Sequence, residues 1–494
     1  MTPTKTALTT SSMVLAATTV AFGQYSAPPP PVPFQGFINE WLRKDDPYMN
    51  AWDFGGAIRL RYEAKEGFAV PGVAGSVDFR DHGAKVNNEY LLSRVRFHAG
   101  YTETWWSAYA EGRSSTAYHD ARYAYANVPA VTGTVKRKGD GPESDSIDLH
   151  QAFVTVGNHK EFPLSLKVGR QEFIYGEERL IGAVGWNNIG RVFDAVKLRW
   201  QNEWFGADFF TSQPVIPEDG RFNVENDHDW FSGVYATSTK IPKHTFEAYF
   251  LSRNSSAKAI SDEPSPQLPQ PTERDIYTIG GRVKSSPGQL GPWDYTLEGA
   301  YQFGNFWPTA ASRRLTQDAF MFVGQGGYTF KNAWSTPRLG VEYAYASGDS
   351  NPADGKHQTF ENLFPSNHKF YGYMDFMSLQ NLKNVRGILQ LKPHPRVSLA
   401  LEGHGFWLAD TRDSSYNVAG LPRAAGGYGL HSNYSDFVGT ELDAIAGVAL
   451  TRFAQLEVGY GHFFTGDYVR KSLSAPTAGS RDADYLYVQT SLNF

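Results

Sequence analysis

No cysteine occurs anywhere in the 494 residues, so neither a disulfide framework nor a thiolate metal site holds this chain together. No uninterrupted apolar run approaches the roughly twenty residues of a membrane helix either. After export, that leaves a soluble fold or a barrel of strands. An excess of one charge is missing too. The 46 Lys and Arg stand against 51 Asp and Glu, and a net of −5 argues neither for nor against nucleic acid; no such partner is expected. A nucleophile elbow, His-Glu-x-x-His, a P-loop and a dinucleotide fingerprint are all absent, and no Ser/His/Asp-type set stands out, so neither an enzyme nor a cofactor is expected.

What the chain has in plenty is aromatic: 33 Phe, 27 Tyr and 12 Trp, with 48 Gly and only 6 Met. Mean hydropathy is nevertheless polar, −0.43. That combination fits strands with lipid on one side, water on the other, and aromatics at the two interfaces; a soluble all-β protein is the alternative. At the N-terminus, Lys5 precedes an apolar run from Met13 to Phe22, and Ala21-Phe22-Gly23 offers a cleavage site. Residues 1–23 read as a signal peptide, 24–50 as a periplasmic lead-in stiffened by Pro28 to Pro33, and 51–494 as the barrel.

From Trp52 onward, alternating segments of about ten residues recur about eighteen times, from 52–64 and 88–100 to 453–465 and 482–494. Gaps between them alternate short (Tyr101 to Glu103, Lys240 to Ile241) and long (65–87, 116–145, 348–376), the layout of an all-β transmembrane antiparallel up-and-down β-barrel with short periplasmic turns, long outer loops and both termini periplasmic. The last strand closes on a terminal aromatic, Phe494, an ending that resembles those of bacterial outer-membrane proteins. A barrel this wide cannot be filled by strand side chains, so its lumen holds water, loops or both.

Arginine at mid-bilayer on the lipid face costs about 2–4 kcal/mol, which turns charged positions inward. In Trp52 to Glu63, Arg59, Arg61 and Glu63 oppose Ile58, Leu60 and Tyr62; Arg94 and Arg96 oppose Val95 and Phe97; Arg386 opposes Val385. Glu111, Glu298, Glu342, Glu402, Asp443 and Glu457 are inward candidates of the other sign. Between the strand-like ends of Pro163 to Trp200 lies a non-periodic loop, Phe173 to Gly190, rich in glycine and charge and suited to a constriction. It brings Arg170, Arg179 and Arg191 into consideration. His394, His404 and His462 read as lumen or rim residues, Asp349 to Gly355 as a solvated loop rather than a calcium site, and Met374 to Ser378 with Tyr371 and Phe376 as an aromatic girdle in preference to a short plug.

Several blocks, among them Leu166-Lys167-Val168-Gly169-Arg170-Gln171, Trp186-Asn187-Asn188-Ile189-Gly190-Arg191, His368-Lys369-Phe370 and Gly439-Thr440-Glu441-Leu442-Asp443, give the chain a resemblance to the alginate export family of outer-membrane barrels. The resemblance implies an eighteen-stranded monomer whose arginine-rich constriction, gated by an outer loop and a periplasmic turn, passes an anionic polyuronate. It also implies a larger periplasm-spanning export scaffold as partner. Arg59, Arg94, Asn188 and Lys369 fall where the family's exporter has pore-lining basic or polar residues. Glu172 and Glu457 fall where it has arginine, His150 and Gln151 replace an Arg-Glu pair, and Gln489 replaces an aspartate.

The expectation is a passive, anion-selective conduit for an acidic polysaccharide such as alginate, lined by Arg59, Arg61, Arg94, Arg96, Arg170, Arg179, Asn188, Arg191, Lys369 and Arg386. A general or oligosaccharide-uptake porin and a plugged, non-conducting surface-adhesion or structural barrel are the alternatives.

Overall fold

The computed structural model describes residues 36–67, 79, 87–120, 127–130, 133–136, 143–256, 272–286, 288–308, 312–420, 422, 435–472 and 480–494. The expected leader, 1–23, and the proline stretch of the lead-in lie outside the described residues. Alternation builds eighteen long strands among them: β1 Trp52–Glu66, β2 Asn88–Thr102, β3 Trp106–Tyr118, β4 Asp145–Val156, β5 Leu164–Gln171, β6 Phe193–Gln201, β7 Gly206–Ile216, β8 Asp229–Ser238 and β9 His244–Ser255 in the first half. The second half supplies β10 Glu273–Ser285, β11 Trp293–Trp307, β12 Leu315–Thr329, β13 Arg338–Ala346, β14 Leu382–His394, β15 Val397–Leu408, β16 Phe437–Ala449, β17 Ala454–Thr465 and β18 Ala483–Asn493.

Each strand pairs antiparallel with its sequence neighbour, and β1 with β18, from Ala57 opposite Asn493 to Glu66 opposite Asp484, closes the barrel. Closure removes both sheet edges, leaving no unpaired ladder to face lipid. At the seam Phe494 exchanges two 2.9 Å backbone hydrogen bonds with Gly56. A Cβ at residue 56 would meet the Arg96 carbonyl at 2.4 Å and the Phe494 ring at 2.6 Å, so the seam requires glycine there.

Two-residue periodicity sorts the faces. In β1, Leu60 and Tyr62 are exposed while Arg59, Arg61 and Glu63 are buried; in β12, Phe320 and Phe322 face outward and Met321 and Val323 inward. The outer surface is therefore apolar and the inner one holds the charges. Eight connections on one rim are turns, among them 103–105 and 395–396, whereas the other rim carries loops such as 172–192, 347–381 and 409–436. The expected strict alternation of lengths fails around the 308–314 link, which is no longer than the 286–292 turn before it and shorter than the 330–337 turn after it. Ser335 and Thr336 there take positive φ and Pro337 cannot donate to a ladder, which delays β13 to Arg338. On the turn rim, helix α1 (Phe37–Asp45) sets Phe37 against Phe453, ring centroids 4.7 Å apart, and pairs Glu40 with Arg452 at 2.8 Å.

Candidate conduit constriction

Loops fill what strand side chains cannot. The 172–192 loop leaves β5 inward and meets the 347–381 loop at a parallel bridge of Ile181 with Phe364, in which Gly182 N donates to the Phe364 carbonyl (2.8 Å) and Phe364 N to Leu180 (3.0 Å), while Ser366 N donates to the Glu178 carbonyl (2.9 Å) beside it. Around it Phe173, Leu180, Ile181, Phe360, Phe364 and Phe370 form an apolar core continuous with the inner faces of Phe193, Phe210 and Phe231. Burying a large apolar side chain is worth about 1.5–3 kcal/mol, enough to hold irregular backbone in place. Irregular it is: Glu178, Val184, Leu363 and Asp375 sit at φ 67°, 50°, 35° and 60°, conformations that cost about 1–3 kcal/mol each and persist only where the surroundings impose them.

The expected girdle at Tyr371 and Met374 to Ser378 is corrected here. Tyr371, Met374, Phe376 and Met377 are buried inside the barrel, not at its interfaces, and the Phe376 ring lies 4.8 Å from Phe463 and 5.1 Å from Phe79. Glu441 on β16 holds this segment by accepting from Met374 N at 2.8 Å, an inner-wall anchor that an outward girdle could not reach.

The expected basic residues divide into one group and several separate ties. Arg59, Arg61, Arg94, Arg96 and Asn188 converge where the first strands meet the strip Gly185 to Ile189. Arg59 donates to the carbonyls of Gly185 (2.9 Å) and Asn187 (3.1 Å), Arg94 to the same two at 3.1 Å, and Arg61 to Trp186 (2.7 Å) while its guanidinium lies 3.8 Å from that residue's ring. Ser115 donates to the Asn188 carbonyl at 2.6 Å and Arg113 to Ile189 at 2.7 Å. Five successive carbonyls are thus held by donors from β1, β2 and β3. Fully buried Asn188 ties the strip to the same wall through its side chain, donating to the Ser93 and Glu143 carbonyls at 3.0 and 3.1 Å.

Arg96 instead pairs with Glu172 at 3.2 Å and Glu111 at 3.6 Å, and His150 meets Glu172 at 2.8 Å. Burial pushes the Glu172 carboxyl up, but the hydrogen bond with His150 and the guanidiniums of Arg96 and Arg94 pull it down to about 2. The remaining expected residues lie apart from this group. Arg170 grips Asp194 with two bonds of 2.8 and 2.9 Å; Arg179 forks onto Glu342 at 2.5 and 3.2 Å over the Phe370 ring; Arg191 caps the carbonyls of Gly182 and Pro365 at 3.2 and 3.0 Å. Lys369 pairs with Glu178, and Arg386 with Glu402. Glu402 shares the inner wall with Glu441, Asp443 and Glu457 on the adjoining strands β16 and β17.

Arg113 and Ser115 are not among the residues the sequence singles out, although both continue the inward face that Glu111 begins. Arg253, which pairs with Asp229 at 2.6 Å and Glu361 at 3.2 Å, has the same signal. The Asp349 to Gly355 segment folds on itself, with Asn351 N on Asp349 at 3.0 Å and Lys356 N on Asp354 at 2.8 Å. Among the described residues no His, Asp or Glu trio is arranged to hold a metal ion.

Residues 52–480 match the alginate export family. The chain belongs to that family. No curated protein matches it. Crystal structures of similar fold include Pseudomonas aeruginosa OpdQ (TM-score 0.52, 11% identity, covering 90% of this chain and 98% of that one) and OpdK with vanillate (0.52, 10%, 90% and 98%). Acinetobacter baumannii OccAB4 follows at TM-score 0.51, 11% identity, and 89% and 98% coverage. Such identities speak for the fold alone. Alginate-export membership and a closed eighteen-strand barrel together make the chain an outer-membrane porin, and its inward loops and clustered arginines belong to that barrel's interior.

Proposed function

We propose that this alginate-export porin is a passive, anion-preferring conduit for an acidic polysaccharide such as alginate, working as a monomer with both termini periplasmic once residues 1–23 are removed. One observation carries the reading: β1, β2 and β3 aim Arg59, Arg61, Arg94, Arg96 and Arg113 at one stretch of the interior, and while Glu63, Glu111, Glu143, Asp145 and Glu172 pair with Arg61, Arg96 and Arg113, Arg59 and Arg94 make no ion pair among the described residues and bond to the carbonyls of Gly185 and Asn187. Guanidinium offers a fork of donors that matches a carboxylate, and a threading polyuronate brings one carboxylate per sugar. Successive contacts of modest strength let such a chain enter and leave. Glu172, a departure from the family's exporter, is paired with Arg96 and hydrogen-bonded to His150, so the reversal there subtracts little from the field around Arg59 and Arg94.

Planar-bilayer recording of the refolded protein tests this. Reversal potentials should show anion preference, oligouronates should block where neutral oligosaccharides do not, and Arg59→Glu with Arg94→Glu should move selectivity toward cations. A specific observation favours a second reading, an uptake porin: Glu402, Glu441, Asp443 and Glu457 crowd β15 to β17. Cation preference, or block by neutral sugars alone, would put that reading first.

A further inference from the structure

The strip Gly185 to Ile189 sits on its arginines as a ligand sits in a receptor. Arg59 and Arg94 both serve the carbonyls of Gly185 and Asn187, and the site is over-supplied with donors: buried Arg59 Nε, Arg61 Nη2, Arg96 Nε and Nη2 and Arg113 Nε have no hydrogen-bond partner. A neutral carbonyl takes one or two N–H groups, whereas a carboxylate takes a bidentate pair in bonds about twice as strong. The strip is also strained and jointed, with Val184 at φ 50° before it and Gly190 at φ 83° behind it.

From this we infer that the Gly185–Ile189 strip is a self-ligand that narrows the conduit at rest, and that carboxylates of an entering acidic polymer displace its carbonyls from Arg59 and Arg94 and so release it. The inference rests on the polyuronate reading for its ligand, but the latch itself stands on the strip's contacts. The same donors hold the gate and receive what opens it.

Gly185→Cys supplies the test, because a Cβ there meets nothing within 4 Å and no other thiol exists in the chain. A nitroxide on that cysteine, in the refolded full-length protein, should become mobile when a defined guluronate or mannuronate oligomer is added and stay immobile with a neutral oligomer of equal length. Adding Arg59→Gln and Arg94→Gln should raise the mobile fraction without ligand by at least roughly ten-fold, the factor carried by one of the four charge-assisted carbonyl hydrogen bonds the pair removes, and raise basal conductance with it. A spectrum unmoved by an oligouronate that does block conductance overturns the inference and leaves the proposed substrate standing. No block and no mobilisation, beside a mobile paired variant, overturns the substrate class and the competition with it. If the paired variant does not reach the heat-modifiable folded form, Arg94→Gln alone is read on the same scale.

Discussion

Glu172 shows how far a single residue departs from its sequence reading. By charge it opposes an anion path; by position, Arg96 and His150 hold it in place as the first tie between the 172–192 loop and the wall. Its carboxyl stands at about 2, below the ordinary glutamate value near 4.3, so the folded state favours the ionised form. The stabilisation is therefore complete above about pH 4.5 and disappears as pH falls from there toward 2. Urea midpoints of the native protein and of Glu172→Gln, followed by the gel shift of the folded form, should differ by a constant amount from pH 7 to about 4.5 and converge toward pH 2. The facing of Arg59 was legible because lipid forbids the alternative. Its partner, a carbonyl 126 residues away, was not, since nothing local encodes where a loop comes to rest.

At the level of elements, the 172–192 loop is fastened to β13 by Arg179 and Glu342, both side chains without solvent exposure. Removing one partner from a buried pair strands the other charge and costs about 3–5 kcal/mol, whereas replacing both by apolar residues of similar volume is close to neutral. Arg179→Met should accordingly lower the urea midpoint by that equivalent, and Arg179→Met with Glu342→Leu should recover most of it. The eighteen strands were legible for a plain reason: a two-residue period has only two outcomes, and the lipid cost of charge selects between them. The 371–378 segment was misread because aromatics serve an interface and a core equally well. Only the anchors, Met374 N on Glu441 and Phe376 against Phe463, distinguish the two, and those lie 67 and 87 positions along the chain.

For the whole molecule, closure makes the outermost strands neighbours: β18 completes a wall that β1 begins, and the rigid cylinder so formed lets loops, rather than strands, do the moving. The strip over Arg59 and Arg94 is one such loop segment, and it is tethered at both ends. A tethered ligand faces its receptor at an effective concentration in the millimolar range. A lone sugar acid must reach about that concentration to compete, while a polymer presents its next carboxylate as soon as one lets go and gains a factor of about 10²–10⁴ from linkage. Half-maximal block measured in bilayers should then fall from about millimolar for the monomer by at least roughly 10²-fold for oligomers long enough to span both arginines. A gate that competes for its own receptor measures chain length, admitting polymers and ignoring their fragments.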